Sequence, residues 1–310
     1  MKSQSTLLGA TAAMSFLLTA CGGGGGGVAS IPPPPPPPEP PPQSATVTIF
    51  ANPAPQTFAT VGVAATKTGS GSSMGFNNLT SADAAQVHIR YTSGGFYEIQ
   101  MPGADWDRLI IAKGVIPADP ENANTFQPAS APQNDAGLVT RLSKTDGYKY
   151  SEIAGWFDSS GRFGEMAFGE ATPAGQLPQT GSAVYHGVVA GTSDVVGHDF
   201  FDGYYRTPVD GAVSLSFDFG KSSLSGSMTV GLNAYGNTTS LGTFAFEDTV
   251  LSASSGMYSG KFNTSAHGDN FFLGQFTGPH GEETIGAWAL PFVFTDGLNH
   301  QAFGAWIAKQ

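Results

Sequence analysis

Cys21 is the only cysteine in the 310 residues, and it closes the run Leu18-Thr19-Ala20-Cys21. That run follows Met1-Lys2 and a mostly apolar stretch at residues 7–18, too short to span a bilayer as a helix. Small residues ahead of a lone cysteine behind such a leader form a lipobox. The thiol takes up a diacylglycerol, and removal of residues 1–20 then frees the cysteine's α-amine for a further acyl chain such as palmitate. Several chains anchor stably, since each buried CH₂ contributes about 0.8 kcal/mol. A single cysteine also excludes a disulfide framework and a CxxC metal pair.

The remaining candidates for chemistry are weaker. Gly71-Ser72-Ser73-Met74-Gly75 matches G-x-S-x-G by letter, but a nucleophile elbow needs a buried strand before it and a helix after it. A Thr/Gly/Ser loop precedes this one and Asn77-Asn78 follows. His198-Asp199 and His267-Gly268-Asp269 are isolated pairs near turns, short of the three or four converging ligands of a metal site. His186, His267 and His280 have no spacing that would make a haem axial pair. Glu282 and Glu283 are neighbours on a strand, face opposite sides, and cannot serve as a paired acid and base, though one can accept turn amides. The expectation is a chain with no catalytic residues, no metal site and no cofactor: a binding protein.

The elements that would carry such a protein are strands. Forty-two glycines and 22 phenylalanines with 12% charged residues fit an all-β chain with tight turns, and 40% hydrophobic residues suffice for a core. A net charge of −11 argues against nucleic acid as a partner. Six glycines at 22–27 and prolines at 32–38 and 40–42 make residues 21–44 a tether, a swivel followed by an extended polyproline rod of roughly 30 Å. Position 22 is Gly rather than Asp, so the outer membrane is the expected address.

Residues 45–177 read as a β-rich domain. It has a first strand at 46–50, a hairpin at 87–100 around Thr92-Ser93-Gly94-Gly95, and a long loop at 117–132. A second hairpin folds around Asp158–Arg162, and a linker occupies 169–178. Residues 178–310 hold nine strand candidates, at 183–190, 203–207, 212–219, 223–233, 242–246, 256–263, 270–277, 284–294 and 301–308. About eight would close an antiparallel barrel filled by its own side chains. Within it, Phe272, Gly274 and Phe276 alternate up to the turn Gly278-Pro279-His280-Gly281, and Gly286, Trp288 and Leu290 resume one face on the return. Phe276, Trp288, Phe303 and Trp306 are expected in the barrel core, with Gly274 and Gly286 making room for Phe276 and Trp288.

Five ordered motifs in this second half resemble the barrels of transferrin-binding protein B, a family of Gram-negative surface lipoproteins. They are Gly181-x-Ala183-x-Tyr185-x-Gly187, the hairpin of residues 213–226 ending at Gly226, and Tyr258-Ser259-Gly260. Gly274-x-Phe276-x-Gly278-Pro279-x-x-x-Glu283-x-x-Gly286 and the closing Phe303-Gly304-Ala305 complete the set. His280 and Gly281 depart from the family's usual Asn-Ala. The resemblance implies a barrel beside a smaller, flatter β-rich handle domain, one handle–barrel lobe where full-length members have two, and a protein ligand or its iron or haem cargo. The alternatives are a lipocalin-like barrel binding a small molecule, a structural envelope lipoprotein without a ligand, and a transmembrane barrel.

Overall fold

A computed structural model describes residues 49–51, 53–81, 87–112, 125–132, 135–141, 147–199, 203–234, 237–252 and 254–310. The leader, Cys21 and the tether lie outside them. The fold is all-β.

The N-terminal strands are β1 (Gln56–Thr57), β2 (Ala59–Thr68), β3 (Gly75–Thr80), β4 (His88–Tyr91) and β5 (Tyr97–Gln100). After them come β6 (Trp106–Ile111), β7 (Thr125–Pro128), β8 (Ala136–Thr140), β9 (Ser151–Asp158) and β10 (Arg162–Gly169). They form one sheet in the order β1-β4-β5-β6-β7-β8-β9-β10-β2-β3. Only Phe58 separates β1 from β2, and its N–H donates to Ile89 O, so one chain segment closes both sides of the sheet. The handle is therefore curled around its own core rather than flat. Phe50, Phe58, Tyr97, Phe126, Trp156 and Phe168 fill it.

Both hairpins form where the turn residues placed them. Two expectations fail. Ile49 and Phe50 lie in a bend, not a strand, because Phe50 turns inward to hydrogen-bond Tyr97 and pack on Phe58. The loop expected over 117–132 contains β7, which pairs with β6 and β8 and buries Phe126.

The barrel comprises β11 (Ser182–Asp199), β12 (Gly203–Asp218), β13 (Ser223–Ala234), β14 (Asn237–Ser252), β15 (Met257–Phe262), β16 (Phe271–Thr277), β17 (Glu283–Val293) and β18 (Asn299–Lys309). It closes β18 onto β11, all antiparallel. The two candidates at 203–207 and 212–219 are one strand, so nine candidates become eight. Pro208 sits between them without an N–H to donate. The ladder with β11 loses register here, between Thr192 and Val196. Ser193 Oγ and Thr207 Oγ1 compensate by donating to Thr207 O and Val195 O across the gap.

Inside, rings interlock. Phe217 lies 4.7 Å from Phe276 and 5.1 Å from Tyr258, while Phe272 lies 4.5 Å from Phe246 and 5.7 Å from Trp306. Each such ring contributes roughly 1.5–3 kcal/mol by burial. Interior glycines admit them, but the pairings differ from expectation. A Cβ on Gly274 would meet Tyr258, one on Gly286 would meet Trp306, and Trp288 occupies the space left by Gly191 and Gly304. The cause is geometric: these rings reach across to a neighbouring strand rather than along their own.

Over β13 to β15 most outward side chains are polar and exposed, among them Ser225, Thr229, Thr243, Glu247 and Lys261, with Val250 and Met257 the large apolar exceptions. An apolar interior with a polar exterior is the inverse of a membrane-spanning barrel. Separately, among the described residues no helix is long and apolar enough to cross a membrane.

Candidate functional site

One barrel wall is not polar. Ile285, Ala287 and Ala289 on β17 and Phe303, Ala305 and Ile307 on β18 face outward, against Val61, Val63, Ile153, Phe163 and Ala167 of the handle. Phe303 is thus no part of the barrel interior; it packs edge-on to Phe76 at 5.0 Å and beside Phe163. Both faces of β17 are covered, which is why its sequence runs almost unbroken in apolar residues.

The motif residues divide between scaffold and this junction. Tyr185, Gly187, Gly226, Gly260, Gly274, Phe276, Gly286 and Gly304 make or admit barrel packing. Tyr185 OH donates to Gly281 O, and burial pushes its phenol up to about 12. Gly181 and Gly278 take positive φ, 84° and 86°, at the ends of strands. Gly278 and Pro279 belong to the β16–β17 turn, where Gly278 N donates to Glu170 O and Thr172 Oγ1 donates to Gly278 O. Residues 170–172, expected as a linker, are therefore bonded to the barrel. Glu282 accepts the turn amide of His280. Glu283 instead reaches the handle, its carboxylate accepting Lys149 N at 2.7 Å and Tyr150 N at 3.2 Å. Burial raises its pKa despite those amides.

Beside this junction a cleft of about 480 Å³ opens between the sheets. Its floor is Glu165, 4% exposed, on the barrel-facing side of β10. Arg141 Nη2 donates to Glu165 Oε1 at 2.7 Å, while Oε2 has no partner. Room for the pair comes from Gly155, where a Cβ would sit 2.8 Å from the guanidinium. Opposite, Arg206 extends from β12 and lays its guanidinium 3.8 Å above the Phe163 ring, with Nη1 buried and unpartnered. Burial raises the Glu165 carboxyl against the pull of Arg141, and burial depresses Arg206 against the pull of Glu165. Phe157 and Tyr205 wall the cleft, and exposed Lys67 is also part of its lining.

At the barrel's far rim, the register shift in β11 turns Asp194 toward β18. Its Oδ1 accepts Gln301 N and lies 2.9 Å from His300 Nδ1, while Asp296 Oδ2 lies 3.0 Å from Nε2. Burial opposes charge on His300, but the hydrogen bonds and charges of Asp296 and Asp194 prevail and raise its pKa. Stability from this clamp is complete below the ordinary histidine value and lost as pH rises through the raised one. The melting-temperature gap between the native chain and His300→Gln should therefore narrow from pH 5.5 to pH 8.5; a constant gap would mean the contact is not ionic.

Among the described residues no group of His, Cys, Asp or Glu could hold a metal ion. Ser73 is exposed in a 3-10 turn, and its Oγ donates to Ser70 O. His186, His267 and His280 are exposed and scattered. Glu165, Arg141, Arg206, Asp194 and His300 do not stand out as site residues in the sequence. One signal was present: Glu165 is the lone charge between Phe163 and Phe168 in a strand of otherwise buried character.

No protein-family model matches the sequence, and no curated protein matches it. Solved structures do. The haemoglobin receptor HpuA from Kingella denitrificans is 15% identical over 84% of this chain and 89% of its own, with a TM-score of 0.37. Transferrin-binding protein B from Haemophilus parasuis is 13% identical over 72% of this chain and 50% of its own, with a TM-score of 0.36. A protein described as a surface lipoprotein is 13% identical over 82% and 98%, with a TM-score of 0.36. The chain spans about half the length of the Haemophilus parasuis transferrin-binding protein B structures. At these scores the likeness decides nothing about a partner.

Proposed function

We propose that the chain is a lipid-anchored protein of the outer membrane, facing outward, that holds a handle–barrel body off the lipid on its tether and captures a protein partner, directly or for the cargo it carries. The single observation that carries this over the lipocalin-like reading is the interlocked ring packing from Tyr185 to Trp306. A barrel that stores a small molecule keeps its interior open, and here side chains occupy it. Binding then falls to the outer surface and the rim loops. Cys21 behind its apolar leader supports the anchor, and the Gly/Pro run supports the standoff.

Metabolic labelling with palmitate tests the anchor: the native chain should label and Cys21→Ser should lose all label while remaining full length. Protease shaving of intact cells tests the orientation, since an outward body is digested without lysis. A body protected until the outer membrane is opened would overturn the surface role and leave the envelope reading.

A further inference from the structure

The cleft between handle and barrel has the makings of a second binding site, independent of any protein partner. Three cationic side chains, Lys67, Arg141 and Arg206, line it against one carboxylate, Glu165. That excess stands out in a chain of net charge −11. Glu165 is already engaged by Arg141 at 2.7 Å, and the further acid nearby, Asp210, accepts Asn233 Nδ2 instead. Arg206 is left with a buried N–H and no acceptor. A guanidinium held over a ring is oriented but not neutralised, and its planar fork suits a carboxylate. The walls are aromatic: Phe157, Phe163 and Tyr205.

We propose that this cleft binds a small, flat aromatic carboxylate, its carboxylate taken by Arg206 with Arg141 and Lys67 adding field, and its ring set between Phe157 and Tyr205. Glu165 is a positioning residue that holds Arg141 at the floor. The volume of about 480 Å³ suits a one- or two-ring molecule. Cation and ring walls together select for such a ligand, because a neutral analogue leaves the guanidinium unpaired.

Titration calorimetry on the full-length chain in detergent, with 2-naphthoate and its neutral analogue 2-naphthylmethanol, tests this. The naphthoate should bind at least tenfold tighter than the alcohol, and Arg206→Gln should weaken it at least tenfold. Arg108→Gln, on the handle's other strands, should leave affinity unchanged. Should Arg206→Gln fail to fold by circular dichroism, Lys67→Gln decides instead, with an expected loss of about threefold that shrinks in high salt. Equal affinity for acid and alcohol overturns the proposal, as does no detectable binding of either. So does naphthoate binding that survives the variant tested. None of these outcomes touches palmitate labelling or protease accessibility, so the site and the anchor fail separately.

Discussion

Gly286→Ala is expected to destabilise the barrel by about 3 kcal/mol, although it adds one methyl group. The backbone at Gly286 is not in the left-handed region, so the cost is purely steric. The new Cβ would lie 2.2 Å from Trp306 Cε2 and 2.3 Å from Nε1. Trp306 has little freedom to yield: its Nε1 donates to Tyr258 OH at 3.2 Å, and Phe246 and Phe272 lie against its ring. Tyr258 OH is in turn hydrogen-bonded to Thr284 Oγ1 and Ile285 O. Trp306→Leu alone should cost about 3–5 kcal/mol by leaving a cavity. In the double variant the clash is gone, so the combined loss should fall well short of the sum. Urea unfolding of the four chains measures this coupling; additive losses would mean that glycine and ring do not compete for space.

Arg141→Met is expected to cost about 2 kcal/mol at pH 8 and clearly less at pH 5. Removing one partner of a buried pair leaves an uncompensated charge, usually at about 3–5 kcal/mol, and the value here is discounted because Arg141 is 42% exposed. The pH dependence follows from Glu165, whose folded-state pKa already lies above its ordinary value through burial. A carboxyl raised on folding binds more protons in the folded state, so stability falls as pH rises from the ordinary value through the raised one. Loss of Arg141 raises it further and widens that window. Glu165→Leu on the Arg141→Met background removes the charge and should recover most of the loss. Thermal melts across pH 5–8 read both effects, and a pH-independent loss would mean Arg141 acts by packing alone.

Much of the scaffold was legible in the chain. Alternation from Phe272 to Phe276 and the break at Gly278-Pro279 placed a real hairpin, with Phe276 and Trp288 buried inside the barrel. Turn chemistry at Thr92–Gly95 and Asp158–Arg162 did the same in the handle. Legibility stopped at Phe303, read as interior and found facing the handle. A period of two assigns residues to opposite faces but does not say which face is inside, or what covers the other. Trp306 and Phe303 lie on opposite faces of β18, and both faces are buried.

The candidate site was almost illegible for a related reason. Arg141 and Glu165 are 24 positions apart, His300 and Asp194 are 106 apart, and Arg206 meets Phe163 from another sheet. Local pattern carries no information about such pairs, because the closure of β18 onto β11 and the docking of β10 on β17 and β18 bring them together. What the sequence determined by itself is local: the turns and the period of two that makes sheets, while Cys21 behind its apolar leader and the proline run carry the proposal of an anchor on a tether. Only the tertiary structure decided which ring fills which glycine's space, that the handle curls around its own core, and that a carboxylate and two guanidinium groups meet in one cleft. Alternation needs only neighbours along the chain, whereas a site needs distant strands to arrive at the same place.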